Sequence, residues 1–453
     1  MPSLTVIGAS GLILMLALMA LRMPVAIAML LIGFVGTVVA SAQKFLTLGM
    51  QSGQAWSRAW TIALSNLSGE AFEAASNYNL LVIPMFVLMG SLAGVSGMSN
   101  DLFKAAYRWM GHFRGGLASA TIAACAGFAA LSGSSLASAV TMGRVALPAM
   151  KRYKYDDALA TGTVAAGGTL GFLIPPSGGM IIYAILTDQS IGRLFMAGVI
   201  PGILLTLLFV ITILIVVLRN PDAGPPGERA SLQARVGALF ESLPIMAVIA
   251  MTIGGMYTGF FTPVEAASAG AFFTFVIALL KRQLTLERLK IVVLQTMGAT
   301  ATIFMILIGA FVFIPFMSIT ELPARLIALL TSLPIGEIGV LVAIVAAYIV
   351  LGMFLESMAM LVLTLPVVIP IAIALNWDLI WFGIIVVILL EMGMISPPVG
   401  INVFVVKSIV PDVPMRRIFS GIWPFWFAML AMIVLLVMFP QIALYLPQTL
   451  VGN

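Results

Sequence analysis

"GGTLGFLIPPSGG", residues 167–179, lies between apolar runs and decides how the chain is read. Five glycines, two adjacent prolines and a serine fall where a membrane-spanning helix would be most regular. A proline in a helix interior removes an i→i−4 hydrogen bond and clashes with the preceding turn, at a cost of about 3 kcal/mol. Two in a row after glycines unwind a turn, and in hydrocarbon each freed carbonyl is costly until something pairs it. Neighbouring helices can satisfy such a kink, and so can a ligand. Carbonyl and hydroxyl oxygens suit a hard cation such as Na⁺. The C-terminal end of the first half-helix adds partial negative charge, and the N-terminal end of the second half suits an anion.

The surroundings are those of a membrane. The 453 residues are 62% hydrophobic and 9% charged, whereas soluble domains average roughly 45–50% apolar and about 25% charged. Apolar runs long enough to cross ~30 Å of hydrocarbon recur from end to end. They are continuous, which argues against a β-barrel with its alternating segments of about 10 residues. The fold class is therefore an all-α polytopic membrane protein in a lipid bilayer. The net charge of +5 resides in short loops, as the positive-inside rule expects, so no nucleic-acid partner is implied. The single cysteine, Cys125, excludes an internal disulfide and a Cys-rich metal site. The single histidine, His112, reads as a solvated residue of a basic loop. There is no H-E-x-x-H, no Ser-His-Asp set and no Walker A pattern, so the chain does not read as an enzyme or as an ATPase of that fold. The start "MPSLTVIGASGLILMLALMALRMP" lacks a basic n-region and is expected to be the first span.

Spans are expected at 3–20, 24–42 and 79–98, with the polar, Trp-containing stretch 43–76 lying along an interface. A basic loop with Lys104, Arg108 and Arg114 precedes the apolar segment 116–150, and Arg144, Lys151, Arg152 and Lys154 cluster at its end. Positive loops on both sides place both ends on one face, so the segment is a re-entrant hairpin with its tip at Ser132–Ser135. Residues 155–187 cross through the opening motif, and 193–218 return to a polar linker, 221–240, read as cytoplasmic. The second half repeats the plan, with spans 243–258, 263–280 and 291–318. A hairpin over 338–375, whose flanks hold Glu321, Arg325 and Glu337, has its tip at "LESMAM", followed by a broken span, 379–406, and a last span, 421–446. Each half, 1–220 and 241–453, has about five spans and one hairpin, in opposite orientations. Such inverted-topology repeats are a signature of secondary transporters. One offset of 222 residues carries Pro175, Pro176, Gly171, Gly178, Pro148, Ser135 and Asp156 onto Pro397, Pro398, Gly393, Gly400, Pro370, Ser357 and Asp378.

The matched pair of breaks, each with a polar tip, favours a binding centre over a simple kink. In "SGSSLASA", 132–139, close packing through small residues accounts for Ala137 and Ala139, while Ser134 and Ser135 read as ion or substrate contacts. The opposing tip holds Glu356 and Ser357, and a glutamate within an apolar segment is a functional candidate by default. For Glu391, structural pairing and ion support both stand. Ser177 and Asn402, just beyond the two breaks, can offer hydrogen bonds to an anion. Glu265 reads as an interface-facing charge, and Arg144, Lys151 and Arg152 as topology charges.

Residues 167–205, "GGTLGFLIPPSGGMIIYAILTDQSIGRLFMAGVIPGILL", together with 391–409, "EMGMISPPVGINVFVVKSI", resemble the large membrane subunit of tripartite ATP-independent periplasmic (TRAP) transporters. The resemblance extends over nearly the whole chain. It implies an elevator: a scaffold, rich in the spans 24–42, 79–98, 243–280 and 291–318, and a mobile transport domain, 116–190 and 338–407. It implies import of small organic acids, dicarboxylates or sialic acids among them, driven by Na⁺ with no other cofactor. It also implies two partners, a small four-span membrane subunit and a periplasmic substrate-binding protein, and a place in the bacterial inner membrane. Carried onto this sequence, one Na⁺ site would use Ser132, Gly133, Ser134 and Ser135 with Gly168, Gly171 and Pro175. The other would use Glu356 and Ser357 with Gly393, Ser396 and Pro397. Substrate would meet Ser134, Ser177 and Asn402, and sodium would be the only metal. A stand-alone Na⁺/carboxylate symporter of the wider superfamily is the nearest alternative, and a channel using carbonyl-lined breaks is another.

Overall fold

The chain was analysed as a computed structural model that describes residues 3–332, 334 and 336–450; the parts of the expected repeats that fall on residues 1, 2, 333, 335 and 451–453 lie outside the described residues. Among the described residues the regular structure is helical throughout. The first half runs α1 (Leu4–Ala20), α2 (Val25–Thr47), α3 (Ser52–Ser76), α4 (Val82–Val95), α5 (Met98–Met110), α6 (Gly116–Ser132), α7 (Ser135–Arg152), α8 (Asp157–Leu173), α9 (Gly178–Leu186) and α10 (Ile191–Arg219). The second half runs α11 (Leu232–Tyr257), α12 (Pro263–Leu280), α13 (Leu286–Ile319), α14 (Leu322–Ser332), α15 (Gly336–Gly352), α16 (Ser357–Ala374), α17 (Leu379–Ile395), α18 (Ile401–Ile409), α19 (Met415–Met438) and α20 (Gln441–Leu450). Nine described helical segments are long and apolar enough to cross a membrane. The chain is a multi-pass membrane protein.

The helix boundaries follow from local chemistry. Asp156 caps α8, its carboxylate accepting from Ala158 N at 2.9 Å and Leu159 N at 3.3 Å. The helix stops at Ile174 because the residue before a proline is driven out of the helical region and the prolines cannot donate. The chain resumes as α9 at Ser177, whose hydroxyl caps Met180 N. The second break, between α17 and α18, is built alike around Pro397 and Pro398, and both Pro–Pro bonds are cis.

The residues group into two compact units, each drawn from both halves of the sequence. One comprises Met1–Leu81, Gly298–Ala346 and Met358–Leu379. Within it α3 lays Ala59 and Ala63 against Val38 and Ala42 of α2 and leaves Trp56, Trp60 and Phe72 exposed. The other unit comprises Val82–Met297, Ala347–Ser357 and Ile380–Asn453. Here α6 and α7 form the first hairpin and pack on α8, and α8 packs on α19. The α8–α19 crossing depends on Gly162 and Gly421, since a Cβ on Gly421 would collide with the Ala158 carbonyl and one on Gly162 with the Gly421 carbonyl. The units do not follow the expected scaffold and transport segments: α4, α11 and α12 group with α6–α9.

Several expectations are corrected. The stretch carrying Lys104 and Arg108 is a helix, α5, not a loop; it buries Met98, Phe103 and Ala105 and pairs Asp101 with Lys281. The residues before the second hairpin that include Arg325 form α14. The linker read over 221–240 ends at Ser231, whose hydroxyl caps Ala234 N and starts α11. Its first part is strapped to the base of the first hairpin: Asp156 N donates to Ala223 O at 3.0 Å, Gly115 N to Gly224 O at 2.8 Å and Gly227 N to Gly111 O at 2.8 Å. The last span, read as continuous over 421–446, is two helices, because Pro440 forces Phe439 out of the helical region (φ −133°, ψ 75°). His112 is half-buried with its ring 3.8 Å from that of Phe113, rather than fully solvated. Outside the spans, Lys151 pairs with Asp412 and holds that carboxyl below the usual range.

Gly421→Val should lower the stability of the detergent-solubilised protein by about 1–3 kcal/mol through overpacking at the α8–α19 crossing. Gly237→Ala, at a helical site where a Cβ meets nothing within 4 Å, should raise it by about 0.4–1 kcal/mol. Thermal unfolding monitored by tryptophan fluorescence checks both signs.

Candidate functional site

The first hairpin turns at Gly133, whose φ of +58° ends α6 in the left-handed region. Ser134 then caps α7 by accepting from Ala137 N. The hydroxyls of Ser132 and Ser138 are 2.9 Å apart across the turn. This tip lies directly on the first broken helix. Gly178 N, at the start of α9, donates to Gly133 O at 3.2 Å. A Cβ on Gly171 would stand 2.5 Å from Ser134 O and 2.7 Å from Ser138 Oγ, and one on Gly168 would stand 3.2 Å from Ser135 O. The expected first set, Ser132–Ser135 with Gly168 and Gly171, is therefore brought together, with carbonyl and hydroxyl oxygens facing two glycines. Pro175 is buried beside it.

The second tip reaches α17 in a similar way. Gly352, at the end of α15, lies against Gly393, where a Cβ would stand 2.5 Å from the Gly352 Cα. Ser357, the first residue of α16, donates to Glu391 Oε1 at 3.2 Å. Glu391 is 1% exposed. Asn402, the second residue of α18, donates from Nδ2 to Ser135 Oγ at 2.8 Å, and Ser135 also neighbours the Glu391 carboxylate. Residues that the sequence separates are thus joined: Ser135, at the start of α7, meets Asn402, at the start of α18, and Ser357 meets Glu391 of α17.

Several side chains of the expected sets carry hydrogen bonds within the protein. The Ser177 hydroxyl donates to Phe172 O and accepts from Met180 N, so it repairs the break and holds the N-terminus of α9. The Ser396 hydroxyl donates to Met392 O at 2.6 Å and accepts from Trp426 Nε1 at 3.0 Å. Asn402 uses its donor on Ser135, and the atom left over, Oδ1, is an acceptor. Glu356 is half-buried just before α16, Pro397 is half-buried, and Glu391 is buried. Trp426 and Ser138 went unnoticed. Ser138 carried a signal, a fourth hydroxyl in the tip sequence, whereas Trp426 carried none, because only the packing of α19 brings it to Ser396.

With this geometry in view, the comparisons are consistent. Residues 12–442 match the family described as "Tripartite ATP-independent periplasmic transporter, DctM component". The chain belongs to this family. It is a permease subunit and not an enzyme. Among its relatives, the C4-dicarboxylate TRAP transporter large permease protein DctM of Pseudomonas aeruginosa is 34% identical, over 86% of this chain and 90% of that protein. The sialic acid TRAP transporter permease protein SiaT of Haemophilus influenzae is 30% identical over 93% of this chain and 67% of that protein. The ectoine/5-hydroxyectoine large permease protein UehC of Ruegeria pomeroyi is 31% identical over 93% of this chain and 96% of that protein. Of solved structures, the Alcanivorax borkumensis YdaH transporter superposes with a TM-score of 0.59 over 86% of this chain and 90% of that one; at 16% identity this likeness concerns the fold alone.

Ser357→Ala removes the hydrogen bond to Glu391 Oε1 and should destabilise the TRAP permease by about 1–3 kcal/mol, the cost of a buried acceptor left unmet. Ser357→Thr, which keeps the hydroxyl, should recover most of that loss. The midpoint of thermal unfolding in detergent is the measurement.

Proposed function

We propose that this chain is the transport subunit of a Na⁺-driven secondary importer of small organic acids in the bacterial inner membrane. It works with a small four-span membrane subunit and receives its substrate from a periplasmic binding protein. Substrates are carboxylates of the kinds named for the relatives, C4-dicarboxylates and sialic acid among them. The observation that carries this reading is the meeting of hairpin tips and helix breaks. Oxygens of Ser132–Ser135 face Gly168 and Gly171, Asn402 of α18 donates to Ser135, and Ser357 of α16 donates to Glu391. Oxygen-rich tips suit Na⁺, and helix N-termini suit an acid anion.

Transport follows if the loaded cluster is exposed first to one side and then to the other, as an elevator. The hairpins and broken helices travel as a group, and the inverted relation of the two halves supplies two states of similar energy. Na⁺ drives the cycle only if it binds the two states, or the loaded and empty sites, with different affinity. The matched positions of Pro175 and Pro397, Ser135 and Ser357, and Gly171 and Gly393 support the repeat on which this rests.

In proteoliposomes carrying this chain with its small partner, uptake of a carboxylate should require the binding protein and an inward Na⁺ gradient. Equal uptake with Na⁺ at the same concentration on both sides overturns the coupling, and uptake without the binding protein overturns the tripartite reading. Gly171→Leu should reduce uptake at least about fivefold, since a shift of about 1–3 kcal/mol from overpacking is worth roughly 5- to 150-fold. The purified variant should still be folded.

A further inference from the structure

We propose that the cavity between the ends of α8, α10 and α19 binds one phospholipid whose head group carries a phosphate and a primary ammonium, the phosphate meeting Arg417 and the ammonium meeting Asp156. The cavity has a volume of about 210 Å³, well beyond the ~10–15 Å³ that holds one water. It lies where three membrane-spanning segments end: at the first turn of α8, the last turn of α10 and the first turns of α19. Lys151, Arg152, Lys154, Arg219 and Arg416 cluster near these ends in the sequence, which marks the cytoplasmic boundary of the bilayer. The lining joins polar groups, Asp156, Asn220, Arg417 and Ser420, to apolar ones that include Val216 and Phe425. On the flanking helices Leu214 and Leu218 of α10 and Trp423 and Phe427 of α19 are exposed, as lipid-facing side chains are. A cavity of mixed character at interface depth, bordered by a lipid-facing surface, suits a molecule with a polar head and an apolar body.

The charges in the lining select the head group. Arg417 Nη2 donates to Asp156 Oδ2 at 2.5 Å, and Asp156 Oδ1 accepts from Ala158 N and Leu159 N. A guanidinium has five N–H donors, and among the described residues Asp156 is the side chain to which Arg417 donates. Donors remain for a phosphate, which a guanidinium recognises through its planar fork. Asp156 Oδ2 accepts from Arg417 and keeps a lone pair for an ammonium N–H. Ser420 Oγ gives its proton to Arg417 O at 2.7 Å and can accept a second one. Arg417 and Asp156 are the charged residues of the lining and together are neutral. A head bearing both charges keeps that balance. A glycerol head adds an uncompensated negative charge, and a choline head has no N–H to give to Asp156. Ethanolamine beside a phosphodiester answers both groups. The apolar wall is fixed, since Phe425 meets Phe209 edge to face at 5.5 Å. The site stands apart from the tips and breaks: the 17 residues of α8 put about 25 Å between Asp156 and the first break. It is independent of which solute is carried and of what drives uptake.

The test titrates the purified full-length chain in detergent with phosphatidylethanolamine, phosphatidylglycerol or phosphatidylcholine of identical acyl chains, and reads bound lipid by native mass spectrometry. Wild type is expected to bind its first phosphatidylethanolamine about tenfold more tightly than either other lipid. Arg417→Gln is expected to lose that preference, whereas Arg416→Gln, one position away and outside the lining, keeps it. Asp156→Asn, which retains a helix-capping side chain but leaves Arg417 uncompensated, is expected to turn the preference toward phosphatidylglycerol. Should Arg417→Gln fail to fold, Ser420→Leu, which narrows the cavity and leaves the ion pair in place, is expected to weaken phosphatidylethanolamine binding about tenfold. Equal affinity of wild type for the three lipids overturns the site. So does wild-type binding by Arg417→Gln, or by Ser420→Leu where it stands in, and so does an equal loss with Arg416→Gln, which would make the effect one of general surface charge. Free phosphoethanolamine that competes as strongly as the lipid overturns the assignment to a membrane lipid.

Discussion

Backbone freed at Pro175–Pro176 and at Pro397–Pro398 has to be satisfied where there is no water, and most of the arrangement around the two breaks answers that demand. Ser177 returns a hydroxyl to Phe172 O, and Ser396 does the same for Met392 O. The Gly178 amide finds Gly133 O on the first hairpin tip, and Trp426 braces Ser396 from α19. These contacts convert a pair of helix defects into fixed sockets. They also explain why the tips sit where they do: Gly133 and Gly171 on one side, and Gly393 on the other, let backbone approach backbone at distances that a Cβ would forbid.

Charge is distributed on the same principle. The three described ion pairs lie outside the cluster, with Lys151–Asp412 and Arg417–Asp156 partly or largely exposed. The strap of residues 223–227 ties the hairpin base through main-chain hydrogen bonds and needs no charge. Among the described residues the acidic group taken deep into the apolar interior is Glu391, to which the Ser357 hydroxyl donates. Helix N-termini offset part of a carboxylate's charge, but Oε2 is left with no donor.

Much of this was readable in the residues. The Pro-Pro breaks, the tips at Ser132–Ser135 and at Glu356–Ser357, and the spans around them were legible because prolines, glycines and loop charges act locally. The amphipathic helix α5 escaped notice because its Lys104 and Arg108 matched a loop as well as a helix face. The break at Pro440 was lost within a run of apolar residues. That Glu391 is buried was not legible, because burial depends on what packs around a residue.

The sequence by itself determined that this is a helical membrane protein, where its two Pro-Pro breaks fall, and which hydroxyls and glycines lie beside them, since backbone satisfaction in hydrocarbon admits few alternatives. Only the tertiary structure decided that Ser135 of the first half meets Asn402 and Glu391 of the second, that Ser177 and Ser396 repair backbone, and that the deep carboxylate is Glu391. Those contacts join residues up to 267 positions apart. Periodicity and composition carry no information about such pairs, because the partner of a buried polar atom is chosen by how helices pack and not by its neighbours in the chain.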